Sequence, residues 1–181
     1  MERLSRPIQT HCISMKHIEP DWNIKEFYNL DYDFSYWVDD PKIVNEYLWS
    51  GHSKQFMSIW KYHEPKPMPE AMEYIKSHFS EWSHVTAAVN YFKPGQYLPI
   101  HVDMYSKYMS YTGADVKDIM RCMVMLEDGY PGQILQIRDE FHTMWSAGDC
   151  FFWDSETPHA FYNMSMCDRY AVQVTGVRNE T

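Results

Sequence analysis

The chain of 181 residues lacks any run of about 18 apolar residues, the length needed to span a bilayer. Its first residues, MERLSRPIQTHC, lack the apolar core of a secretory leader. A cytoplasmic protein without a membrane partner is the expectation. The four cysteines, Cys12, Cys122, Cys150 and Cys167, form no C-x-x-C pair, which argues against a zinc ribbon or a dithiol redox motif. Internal repeats and low-complexity tracts are also missing. A formal net charge of −9 leaves no electrostatic footprint for a phosphate backbone, and no basic stretch interleaved with aromatics stands out. Nucleic acid is therefore not an expected partner.

Aromatic residues make up 17% of the chain, with fourteen Tyr and thirteen Met. Such a composition fits a thick core with a concave aromatic surface, or a thick core alone. The length suits one domain, and the chain changes character near residue 84. Residues 1–83 read as a mostly helical support region. One helix is expected after Asp40-Pro41, where an N-cap and a Pro at N1 precede Ile43, Val44, Tyr47 and Leu48 and then Gly51. A second is expected over 69–82, with Met72, Ile75, Phe79 and Trp82 on one face. Between them, His63-Glu-Pro-Lys-Pro-Met-Pro69 must be loop, because its prolines remove donors and restrict their neighbours.

From residue 84 onward short strands alternate with turn signals at Pro94-Gly95, Asp128-Gly129, Pro131-Gly132 and Gly148-Asp149. Strands are expected over 86–92, 98–103, 120–127, 133–138, 141–145, 150–153, 158–163 and 169–177. Cys122 and Cys150 fall inside them and read as buried thiols. Eight short strands behind N-terminal helices predict a mainly β protein with a double-stranded β-helix, or jelly-roll, core over residues 84–181. Residues 105–117 read as a long polar segment, either a lid over a site or an ordinary surface loop.

His101-Val-Asp103, the Pro158-His159 pair and Arg169 carry the chemistry. Residues i and i+2 of a strand share a face, so His101 and Asp103 would project together. A lone His-x-Asp is weak, since about one chance match is expected in a chain or two. With His159 brought across a barrel mouth, however, two imidazoles and a carboxylate would complete a facial set for a divalent metal. Such a set leaves coordination positions open for non-haem iron chemistry. Arg169 opens the last strand, and its alternation partners Ala171, Gln173 and Thr175 are small or polar, whereas Tyr170, Val172 and Val174 are apolar or aromatic. A guanidinium facing into a barrel needs an anion; the alternative is a rim Arg paired with Asp168 or Glu127. Arg121, alternating with Met123 and Met125, faces either the cavity, as a second carboxylate anchor or substrate contact, or solvent.

Over residues 86–177 these positions resemble the Fe(II)- and 2-oxoglutarate-dependent oxygenases. The stretch Asn90-Tyr-Phe-Lys-Pro-Gly-Gln-Tyr-Leu-Pro-Ile-His-Val-Asp103 is similar to the prolyl-hydroxylase branch, and Gly148-Asp-Cys-Phe-Phe-Trp-Asp-Ser-Glu-Thr-Pro-His159 to the family's turn, strand and Pro-His segment. The resemblance implies that His101, Asp103 and His159 bind iron. It also implies that Arg169 holds the far carboxylate of 2-oxoglutarate and that Tyr91 donates a hydrogen bond to that co-substrate. Implied with these are O2 as oxidant, ascorbate as a reductant, release of succinate and CO2, and a protein, peptide or free amino-acid substrate. A cupin-like isomerase or ligand-binding module is the competing reading. Such proteins commonly use three His with a Glu, whereas this chain offers Asp103. Residues 1–83 carry no family signature.

Overall fold

The computed structural model describes residues 15–179, so His11 and Cys12 lie outside the described residues. Eight antiparallel strands after residue 81 build two facing sheets. They are β4 (Trp82–Phe92), β5 (Tyr97–His101), β6 (Ile119–Met125), β7 (Gln133–Ile137), β8 (Glu140–His142), β9 (Asp149–Asp154), β10 (His159–Asn163) and β11 (Arg169–Arg178). The larger sheet contains β9-β6-β11-β4 and the smaller one β5-β10-β7-β8. Consecutive strands alternate between the sheets through most of this run, as a jelly roll requires. The mainly β expectation holds, and the eight expected strands lie close to their expected positions.

The N-terminal region departs from the helical expectation. It contributes β1 (Met15–His17), β2 (Asp33–Tyr36) and β3 (Ser58–His63), which extend the larger sheet to the order β1-β9-β6-β11-β4-β3-β2. Its helices are short: α1 (Lys25–Tyr28), α2 (Pro41–Trp49) and α3 (Glu70–Ser77). These strands escaped notice for physical reasons. β3 is covered on both faces, so Ile59 and Tyr62 give no clean alternation, and β2 is an exposed edge strand. Helix α2 forms as expected, with the Asp40 carboxylate accepting the Lys42 N–H at 2.8 Å beside Pro41. Helix α3 stops at Ser77, and Trp82 opens β4 instead of continuing the helical face. Because the strands at residues 15–17 and 58–63 are hydrogen-bonded into the jelly-roll sheet, we read the described chain as one domain.

The pleat sorts the larger sheet into two faces. Outward, Val172, Val174, Cys122, Val124, Cys150 and Val89 pack under Phe27 of α1 and Met72, Ile75 and Phe79 at α3. Each of these large side chains, once fully buried, contributes about 1.5–3 kcal/mol. Inward, Phe92, Met123, Met125, Phe151, Trp153 and Ala171 meet Leu135, Ile137 and Phe161 of the smaller sheet. Segment 105–117 holds helix α4 (Ser106–Thr112) and a single 3-10 turn at Val116–Asp118. No residue of α4 is buried, so it had no apolar stripe to reveal it. No helix of the described residues is long and apolar enough to cross a membrane.

Gly148 fixes the join between β1 and the jelly roll. Its N–H donates to the Met125 carbonyl and its own carbonyl accepts the Ile18 N–H, at 2.8 and 2.9 Å. With φ of +88°, a Cβ there would sit 2.0 Å from the Ile18 carbonyl oxygen. Gly148→Ala therefore combines left-handed strain, about 1–2 kcal/mol, with a backbone collision. We expect its melting temperature to fall by roughly 4–8 °C; a calorimetric Tm equal to wild type would disprove the tight join.

Candidate metal centre

Strand pairing brings the first ligands together: His159, opening β10, is the direct register partner of His101, closing β5. Their rings lie 4.5 Å apart between centroids. Asp103 follows two residues beyond the end of β5 and turns back toward both. One Asp103 oxygen lies 3.3 Å from His159 Nε2, and the other lies 3.8 Å from His101 Nε2. One donor atom from each of the three residues lies within 4.8 Å of the others.

Backbone carbonyls set the orientation of both rings. His101 Nδ1 donates to the Pro99 carbonyl at 2.7 Å, and His159 Nδ1 donates to that of Thr157 at 3.0 Å. With Nδ1 taken up by a backbone carbonyl, each ring turns its Nε2 toward the carboxylate. This arrangement prepares an imidazole to bind a metal. The carboxylate is held as well. Arg121, on the inner face of β6, donates from Nη1 to Asp103 Oδ2. The Tyr105 hydroxyl approaches the same oxygen at 3.4 Å and its ring lies 4.8 Å from the guanidinium. Despite burial, which acts the other way, Arg121 and the two imidazoles hold the Asp103 carboxyl well below the usual carboxylate range. Burial, with the neighbouring His159, pushes His101 down to about 4. Two imidazole nitrogens with an ionised carboxylate make an N,N,O set that fits a divalent transition metal.

Arg169 lies on the same inner wall. Only 1% exposed, its guanidinium stacks over Phe161 and Trp145 at 4.4 and 4.7 Å. One nitrogen reaches Met125 Sδ at 3.4 Å, while Nε and Nη1 are buried without a partner. Burial lowers it to about 9, with Glu127 opposing the shift. Phe161 is the next inward residue after His159 on β10, one step of roughly 7 Å along a strand. Thus the orphaned cation and the three-donor cluster share one interior. Neither Asp168 nor Glu127 forms an ion pair with Arg169 among the described residues; Asp168 instead accepts from Tyr91.

Two expected co-substrate contacts change. Tyr91 projects from the other face of β4, because its neighbours Asn90 and Phe92 are the inward residues. Its ring stacks on Tyr170 at 4.7 Å and its hydroxyl donates to Asp168 at 3.1 Å. The strand pleat removes it from the barrel site. Arg121 does face inward, with Nη1 on Asp103 Oδ2, so it holds that carboxylate, while its Nε is buried without a partner among the described residues. Sequence reasoning missed Tyr105, Trp145 and Lys61. A charge inside the run Ile59-Trp60-Lys61-Tyr62 was the available signal for Lys61. That side chain lines a cavity of about 230 Å³ with Trp37, His101 and Asp103. Burial and the nearby Arg121 lower its pKa, against the attraction of Asp103.

Fold and side chains together define a jelly-roll protein with a three-donor centre at one end of the barrel. No family model matches the chain, and no curated protein matches it. Among solved structures it is similar to a prolyl-4-hydroxylase from Pseudomonas putida, at 12% identity and a TM-score of 0.53, over 86% of this chain and 97% of that one. It is also similar to a predicted oxalate decarboxylase from Thermotoga maritima, at 14% identity and a TM-score of 0.42, over 66% and 81%. A third is the Cnp3 cupin domain from Schizosaccharomyces pombe, at 9% identity and 0.41, over 66% and 64%. At these identities the likeness bears on the fold alone.

The His101 shift sets a pH response in the metal-free chain. Its folded value near 4 lies below the ordinary imidazole value of 6.5. The stability it contributes is therefore present above pH 6.5 and is lost as pH falls toward 4, by roughly 3 kcal/mol at full extent. Urea titrations across that window should show a steeper loss for wild type than for His101→Gln. Parallel curves would show that the ring is not held neutral.

Proposed function

We propose that the protein is an Fe(II)- and 2-oxoglutarate-dependent dioxygenase that hydroxylates a protein or peptide side chain or a free amino acid, releasing succinate and CO2. The observation that carries this reading is a buried guanidinium without an anion, inside the same barrel as a two-His, one-carboxylate cluster. A simple metal-binding cupin has no need of the first feature. It costs stability to bury a charge unpaired, and a carboxylate from the co-substrate would satisfy Arg169 bidentately.

In this reading His101, Asp103 and His159 hold the iron on one face and leave the remaining positions open. When bound, the iron and the 2-oxo acid together supply the O2-dependent oxidation, with ascorbate as an auxiliary reductant. The chain supplies position and surroundings. Pro99 and Thr157 keep the proton on each Nδ1, so that Nε2 faces the centre. Arg121 and Tyr105 hold one oxygen of Asp103 and leave its companion directed at His101. Arg169 orients the far end of the 2-oxo acid, and Phe161 and Trp145 keep water from it.

Adding Fe(II) and 2-oxoglutarate to the protein without oxygen should produce the weak violet absorption of a chelated 2-oxo acid. A jelly roll that binds metal but not the co-substrate would remain colourless. With oxygen present, Asp103→Ala should abolish succinate release, and iron-dependent turnover at the wild-type rate would refute the ligand assignment. Arg169→Ala should raise the 2-oxoglutarate requirement by about 10-fold or more, as loss of a charged hydrogen-bonding pair does. An unchanged requirement would remove Arg169 from its role.

A further inference from the structure

Beside the three-donor cluster, on the side of β2 and β3, lies the cavity of about 230 Å³ lined by Trp37, Asp39, Lys61, His101, Asp103 and Met104, among others. Lys61 enters it because it shares the inward face of β3 with Ile59, a member of the inter-sheet core. Lys61 is half-buried, with its side chain on the wall of this cavity. Lys61 has no ion-pair or hydrogen-bond partner among the described residues. Its cross-strand neighbour Asp33 pairs with Lys66 at 3.0 Å. Asp103 is surrounded by Arg121, Tyr105 and the two imidazoles. Asp39, at the rim, accepts the Asp40 N–H at 2.6 Å. Arg121 already neutralises Asp103, and an ion on the cluster would add further positive charge.

We propose that this cavity is a carboxylate-binding subsite, in which Lys61 receives an acid group of the substrate against the ring of Trp37. It is distinct from the Arg169 position, which lies deeper along β10 and β11. Its volume falls below the roughly 300–1,000 Å³ of sites for drug-sized ligands. A small acid, an amino acid or a single acidic side chain fits; an extended peptide does not. Calling the bound acid a substrate rests on the oxygenase reading, whereas the binding itself does not.

The test uses the full chain without added metal, so that no ion can hold the acid. Isobutyrate and its neutral isostere isobutyramide serve as probes, followed by the Trp37 indole resonance, which is assigned from Trp37→Phe. Isobutyrate should bind about 10-fold more tightly than the amide. Lys61→Met should reduce that preference to within about twofold, while Lys61→Arg retains it and Arg169→Met leaves it intact. Lys61→Gln gives the same reading as Lys61→Met should the latter fail to fold. Equal binding of acid and amide by wild type, a preference that survives in folded Lys61→Met or Lys61→Gln, or one lost in folded Arg169→Met would each overturn the proposal. N-acetyl-aspartate methylamide identifies the source. Binding tighter than isobutyrate supports an acidic side chain, and weaker binding supports a small free acid. A chain with the carboxylate preference but no violet absorption keeps this subsite and loses the oxygenase reading; the reverse result does the opposite.

Discussion

Everything at the centre depends on holding one carboxylate where the chain has just left a strand. Asp103 lies beyond the last hydrogen-bonded residue of β5, in a segment with no ladder of its own. A free aspartate there would turn to water. Arg121 from the larger sheet and Tyr105 from the following turn hold it instead, while His101 and His159 face it. The cluster therefore joins the two sheets through side chains. A change in the distance between β5 and β6 would alter the donor geometry directly.

The same logic separates the faces of the larger sheet. Along β11, Arg169, Ala171, Gln173 and Thr175 point between the sheets, while Tyr170, Val172 and Val174 pack outward against the helices. That period of two made Arg169 legible as an inward cation before any coordinates. It also explains why Tyr91 fails as a co-substrate contact. The resemblance carried its position ten residues before His101, but parity along β4 assigns it to the outer layer with Tyr170. Position in a motif and direction of a side chain are separate facts.

Much of the jelly roll was legible, because turn residues such as Pro94-Gly95 and Gly148-Asp149 separate short strands with strong β composition. His101, Asp103 and His159 were legible as a set: strand pairing brings the two imidazoles together, whereas Asp103 lies past the strand and is held by Arg121 and Tyr105 instead of by the shared strand face that the spacing anticipated. The N-terminal strands were not. β2 has little burial on either face and β3 is enclosed on both, so neither displays the half-buried alternation that reveals a strand. Lys61 and Tyr105 were hidden for another reason. Their positions follow from which strands become neighbours, and local spacing says nothing of that.

The two rims of the larger sheet, β1 and β2, both come from the first 36 residues, yet they sit at opposite ends of the strand order. β1 pairs with β9, more than 130 residues further along in sequence. Such wiring gives high contact order, which slows folding because distant segments must meet before their pairing is rewarded. Closure of that rim waits until β9 is available. Until β1 docks on it, β9 has an open edge with unpaired backbone groups, and a second, partly folded chain could occupy it.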